Sequence, residues 1–111
     1  MSSPTLGALE LTILLAVARL GDEAYGLAVR RDVSARTGRD YSVGAIYTTL
    51  ERLETKGFVV TRMTEPLPTR GGRSRRQFTV TAAGQRAIRH AERVAMSVWA
   101  GVGTSLNPEP A

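Results

Sequence analysis

The sequence predicts an α+β fold that is mostly α: three helices, a two-stranded β hairpin and a long C-terminal helix. Three observations carry this. Apolar residues recur at helical spacing over most of residues 5–56, the period switches to β-branched runs at 58–65 and 75–80, and it returns to a helical pattern from 82. A length of 111 residues and a 42% apolar fraction fit one globular unit. So short a chain buries a modest core and gains from association. The expected division is residues 1–80 for the body, 81–104 for a C-terminal association helix and 105–111 for a frayed tail.

The first helix is expected from Thr5 to Leu20, ended by Gly21-Asp22. Leu6, Leu9, Ile13, Ala16, Val17 and Leu20 form one face, while Leu11, Leu14, Leu15 and Ala18 cover much of the other. A helix apolar nearly all round is covered nearly all round, so Leu11, Leu14 and Leu15 are expected against a second copy. The second helix spans Tyr25 to Thr37, with Leu27, Ala28 and Val33 inward, Arg30, Arg31 and Arg36 in solvent, and Gly38 as its stop. The third follows Ser42, an N-cap residue type, and runs from Val43 to Lys56. Its inner face is Ile46, Leu50 and Leu53, and its outer face is Ala45, Thr48, Thr49 and Arg52, with Glu51, Glu54 and Lys56 completing the polar surface.

Phe58 to Glu65 and Arg75 to Val80 read as strands. Between them Pro66 to Ser74 holds two prolines and Gly71-Gly72, which is loop chemistry. Thr81 caps a fourth helix, expected from Ala82 to Val102. Ile88, Ala91, Ala95, Val98 and Val102 are spaced 3, 4, 3 and 4, the seam of a coiled coil. Arg86, Arg89, Glu92 and Arg93 lie off that seam.

Charge is unevenly placed. Residues 1–55 carry six Arg and seven carboxylates, and residues 56–111 carry nine Lys or Arg and three Glu, within a net +5. A basic half favours a polyanion. Fourteen of the fifteen basic residues are Arg, which suits phosphates and guanine edges, although a GC-rich genome gives the same excess. The longest apolar run, Leu11 to Ala18, is far short of the roughly 20 residues that span a bilayer, and no basic region precedes an apolar run at the start. A soluble cytoplasmic protein without membrane association is expected. There are no cysteines, which excludes thiol chemistry and cysteine-ligated zinc. His90 is the only histidine and reads as a solvated residue. With no nucleophile, base and orienter together, no catalytic residue, metal site or cofactor is expected, and the protein is not expected to be an enzyme.

Helix, helix, helix, basic hairpin is the winged helix-turn-helix order. A major groove about 12 Å wide admits one helix. The third helix has small, hydroxylated residues outside, which let its backbone approach base edges. The expected double-stranded-DNA contacts are Ser42 with the free amides of the helix start, Gly44, Ala45, Thr48, Thr49 and Arg52, and Arg70, Arg73, Arg75 and Arg76 of the hairpin. Strand alternation puts Arg75 and Arg76 on opposite faces, and charges there also protect a strand edge. Tyr47 contacts a phosphate or packs on the wing. Tyr25 packs at the start of helix 2 or contacts a phosphate.

Four stretches carry a family resemblance: Leu6 to Leu15, Tyr25-Gly26-Leu27, Ser42 to Gly57, and Arg75 to Gly84 with its Thr81-Ala-Ala-Gly84 ending. In this order they resemble the PadR family of bacterial regulators, and specifically the short subfamily with a single C-terminal helix, over roughly residues 6 to 100. That family usually has Gly-Thr-Leu-Tyr-Pro where this chain has Gly44-Ala45-Ile46-Tyr47-Thr48, so the bases read should differ. The tip at 66–74 looks longer and more basic than usual. The resemblance implies a homodimer, usually a repressor, joined through the first and last helices, the same two surfaces that the patterning picks out. The expected interface is then Leu11, Leu14, Leu15, Ile88, Ala91, Ala95, Val98, Trp99 and Val102. Some short members hold flat hydrophobic compounds between subunits. Trp99, with Met96 one turn away, is therefore either an interface anchor or the wall of a pocket for a small hydrophobic or aromatic effector. A non-specific architectural DNA binder and a winged-helix protein-docking module are the competing readings.

Overall fold

The computed structural model describes residues 6–64 and 75–109. The order is α1 (Ala8–Leu20), a 3-10 turn (Gly21–Glu23), α2 (Gly26–Thr37), α3 (Val43–Thr55), β1 (Val59–Met63), β2 (Arg76–Val80), α4 (Ala82–Trp99) and a 3-10 turn (Val102–Thr104). The mostly helical α+β class and the element order expected from the sequence are both present.

Each helix end has a local cause. At the start of α1 the Glu10 carboxylate accepts from the Gly7 amide at 2.8 Å, and Gly21, at φ +55, turns the chain out of it. Gly38 closes α2 in the left-handed region, its amide bonded to the Ser34 carbonyl. Ser42 caps α3, its Oγ accepting from the Ala45 amide at 3.1 Å.

The core gathers Ile13, Leu14, Ala16 and Val17 of α1, Val29 and Val33 of α2, Ile46, Leu50 and Leu53 of α3, and Phe58, Val59 and Phe78 around the hairpin. Each of the larger of these contributes about 1.5–3 kcal/mol by leaving water. Two expectations are corrected here. Leu27 is 53% exposed; Val29 and Val33, one turn apart, supply the inward face of α2 instead. Leu14 is fully buried within the single chain, so it packs the core, while Leu11 and Leu15 remain only half-covered.

Ion pairs fix the helices to one another. Asp32 of α2 is bound by Arg19 of α1 and, at 3.4 Å, by Arg36. The Arg19 hydrogen bond holds its carboxyl below the usual aspartate value, against the opposing effect of burial. Lys56 reaches Glu10 at 2.8 Å and ties the end of α3 to the start of α1. Its hydrogen bond lowers the Glu10 pKa in the same way. Arg30 donates to the Tyr41 carbonyl at 2.6 Å and to Asp40 at 3.1 Å, setting the turn between α2 and α3.

The strands pair antiparallel, with Val59 opposite Val80 and Arg62 opposite Gln77. A bridge from Tyr25 to Gln77 and a bond from the Phe78 amide to the Ala24 carbonyl at 2.9 Å lock β2 to the start of α2. Both strands are shorter than expected, starting at Val59 and Arg76.

The start of α4 is clamped to the turn after α3. Thr81 Oγ1 donates to the Gly57 carbonyl at 2.6 Å and accepts from the Gly84 amide at 3.0 Å. The Thr81 amide donates to the Phe58 carbonyl at 3.0 Å. Gly84 is required by this contact, since a Cβ there would collide with that same carbonyl and with Val80. Beyond this clamp α4 projects, with Gly84 as its one buried residue. The helix stops at Trp99, short of the expected Val102, because Gly101 turns the chain at φ +79. Val102 therefore lies in the following turn and is not on the seam.

Candidate nucleic-acid interface

Helix α3 lies with Ile46, Leu50 and Leu53 fully buried against the core. Ser42, Gly44, Thr48, Glu51, Arg52 and Thr55 are exposed. Ala45 and Tyr47 are half-buried flanks. Ser42, Gly44, Thr48 and Arg52 thus occupy the outward surface that a duplex could reach. Thr49 does not. It is 4% exposed, and its hydroxyl donates to the Ala45 carbonyl at 2.8 Å. At 100° per residue, Thr49 falls on the inner side next to Ile46 and Leu53, so the expected contact is corrected. Its hydroxyl satisfies a backbone group on its own helix.

Tyr47 is half-buried and packs against a neighbour that the sequence did not point to. Its ring and hydroxyl lie over Gly26 at the start of α2, where any Cβ would collide with them. The helix-turn-helix pair is thus mated through Tyr47 and Gly26. Tyr25 is half-buried, and the Arg75 guanidinium stacks over its ring at 4.0 Å. Arg76 turns the other way, 3.6 Å from Glu54 and 5.5 Å over the Phe78 ring. The Thr61 hydroxyl also donates to Glu54 at 2.8 Å. Glu54 thereby anchors the wing to the end of α3 and partly neutralises Arg76. Arg70 and Arg73 lie outside the described residues.

One residue of this surface was missed by sequence reasoning. Arg62 is exposed on β1, and its Nε donates to Gln77 Oε1 at 2.9 Å. Gln77 is itself buried and donates to the Asp22 carbonyl at 2.7 Å. No signal in the sequence marked it, because both the register that sets Arg62 opposite Gln77 and the burial of Gln77 are fixed by packing.

A second surface lies along α4. Ile88, Ala91 and Ala95 are half-buried, while Val94, Met96, Val98 and Trp99 are exposed, the last two at 72% and 71%. An open groove of about 1060 Å³ runs between α4 and the start of α1, lined among others by Leu6, Leu11, Phe58, Ala91, Val98 and Trp99. His90 sits exposed on its rim. Among the described residues no cluster of His, Asp or Glu could hold a metal ion, and no helix is long and apolar enough to cross a membrane.

Three helices, a core-docked third helix with a polar outer stripe, and a hairpin pinned beside it define a winged helix-turn-helix protein. Comparison with known proteins narrows the class. The PadR-like family of transcriptional regulators matches residues 14–90, and the chain belongs to that family. It is therefore a DNA-binding transcriptional regulator and not an enzyme. Among solved structures it is similar to a PadR-family transcriptional regulator from Eggerthella lenta, at 26% identity over 91% of this chain and 89% of that one, with a TM-score of 0.65. RosR from H. salinarum gives 25% identity over 90% and 83% of the two chains, with a TM-score of 0.66. A PadR-like transcriptional regulator from Bacillus cereus, 21% identical, shares the fold over 93% and 95% of the two chains with a TM-score of 0.73. The comparison with curated proteins returned no match.

Proposed function

We propose that this protein is a sequence-specific repressor that binds a pseudo-palindromic operator as a homodimer. The observation that carries the reading is α3 itself: Ile46, Leu50 and Leu53 are fully used by the core, and its outer side offers the small Gly44 and Thr48 with the exposed Arg52 beside them. Thr48 and Arg52 contact base edges, Ser42 and the first amides of α3 hold a phosphate, and the wing arginines track the backbone. Ala45 and Tyr47 act from the flank, Tyr47 by fixing α3 on α2.

The homodimer rests on the apolar residues left uncovered along α4 and on the groove beside it. Burying Val98 and Trp99 against a second copy, with Leu11, Leu15, Ile88, Ala91 and Ala95 alongside, removes a patch that a monomer would expose to water. Such a dimer sets its two α3 helices about 34–36 Å apart, on successive turns of DNA. Trp99 lines the same groove, while Met96 is exposed outside its lining; a flat hydrophobic effector seated against Trp99 would alter that spacing and release the operator.

The test is fluorescence-anisotropy binding to the DNA upstream of the protein's own gene and to a scrambled duplex, across a salt series. Specific repression predicts at least about a hundredfold tighter binding to the upstream DNA, a threshold set below the usual specific-to-non-specific ratio of about 10³–10⁷. Both affinities should fall with salt, with a slope of about 0.9 per phosphate contacted. Equal affinities would favour an architectural binder, and no binding at low salt would favour a protein-docking module. Titration with aromatic compounds, read by Trp99 quenching and DNA release, tests the effector.

A further inference from the structure

Glu51 has no role so far. Gly44, Thr48, Glu51 and Thr55 recur at i, i+4, i+7 and i+11, within a ~60° arc, and all four are exposed. That arc points directly away from the buried Ile46, Thr49, Leu50 and Leu53. Glu51 therefore lies on the outermost stripe of α3, with Thr48 before it and Thr55 after it along the stripe. It is the one long side chain of the stripe, and it is an anion in a surface built to meet phosphates.

The usual reasons for a surface glutamate do not account for it. Its neighbours at i−4, i−3, i+3 and i+4 are Tyr47, Thr48, Glu54 and Thr55. None is a cation and one is a like charge, so helix pairing opposes it slightly. It lies in the C-terminal half of α3, where the helix dipole favours cations. The other α3 carboxylate, Glu54, is held by Thr61 and Arg76. Glu51 makes no hydrogen bond or ion pair among the described residues.

We propose that Glu51 is a specificity-determining residue that accepts a hydrogen bond from the N4 amino group of a cytosine in the major groove. A carboxylate only accepts, and the cytosine amino group is the donor it matches there. Over guanine it meets the N7 and O6 acceptors and is repelled. Gly44 and Thr48 supply the close approach. Glu51 sits about 10 Å beyond Gly44 and about 4.5 Å beyond Thr48 along the helix axis, so it reaches a base pair further along the groove. Its second effect is negative: without a donor to face, the carboxylate is repelled by phosphates, which suppresses binding to random DNA. The inference rests on the proposed reading of DNA by α3.

The experiment is selection of preferred sites from a randomised duplex library by the full chain and by Glu51→Ala and Glu51→Gln, with affinities for the selected site and for random duplex. The wild type should select a motif with a C·G pair at one position of each half-site. Glu51→Ala should lose preference at that position alone, bind the selected site roughly 5- to 100-fold more weakly, and bind random duplex as well or better. Glu51→Gln should shift the position toward adenine, whose N6 and N7 suit an amide. Thermal unfolding of both variants should match the wild type, since Glu51 is exposed. An unchanged motif, or one equal change in affinity for all sequences, overturns the inference while α3 reading stands. A wild type that selects no motif overturns both.

Discussion

Gly84→Ala tests the clamp that aims α4. A methyl at this position has no open space: it meets the Phe58 carbonyl oxygen and Val80 Cγ1. The carbonyl is backbone, and it already accepts from Thr81 at 3.0 Å, so it cannot yield without lengthening a hydrogen bond. Overpacking of this kind costs about 1–3 kcal/mol, and a weakened hydrogen bond adds about 1 kcal/mol. Replacing a helical glycine by alanine returns up to about 1 kcal/mol. The net expectation is destabilisation by about 2 kcal/mol, equivalent to a Tm lower by roughly 8–16 °C for a domain of this size. The assay is thermal unfolding followed by circular dichroism at one fixed protein concentration, because association shifts the midpoint. Gly44→Ala is the control. It sits in α3 with nothing near its Cβ position, and should melt at or slightly above the wild-type temperature. A Gly84→Ala protein as stable as wild type, beside an unchanged Gly44→Ala, would refute the reasoning. It would mean that α4 can lift from Phe58 without loss and that the clamp does not fix its direction.

Other outcomes follow from the same geometry. Thr48→Ala should change base preference at one position of a selected site, whereas Thr49→Val, whose hydroxyl is turned inward to the Ala45 carbonyl, should leave the preference as it is; site selection on both variants distinguishes them. Val98→Asp puts a charge on the uncovered stripe of α4 and should give a particle near 12.0 kDa by sedimentation, where the proposed homodimer sediments at twice that mass. Stability should fall on the acid side. Lys56 and Arg19 lower the pKa values of Glu10 and Asp32 below 4.5 and 3.8. Their contributions are complete above those unfolded-state values and are lost as pH falls through the depressed folded-state ones. Urea midpoints between pH 7 and pH 3 should drop below about pH 4.5, and Glu10→Gln should flatten the first part of that fall; an identical curve for the variant would remove Glu10 from the account.

The order of elements was legible in the chain because it depends on local chemistry. Ser42 and Thr81 are caps wherever they stand before a helical pattern, Gly21 and Gly38 end helices by their freedom at positive φ, and Ile46, Leu50 and Leu53 define one side of α3 by spacing alone. The outward place of Thr48 followed from the same period. What a period does not give is the width of the buried arc, which depends on how closely neighbouring elements approach. That is why Thr49 lies inside and Leu27 outside, and why Leu14 belongs to the core of its own chain. Partners distant in sequence were likewise invisible: Tyr47 against Gly26, Glu54 between Thr61 and Arg76, and Gln77 between Arg62 and Asp22 are each set by the packing of separate elements. The sequence by itself determined the winged-helix order, the capped helices and the basic hairpin. Only the tertiary structure decided which polar residues remain free to face DNA, because a side chain is committed or left free by the neighbours that folding brings to it.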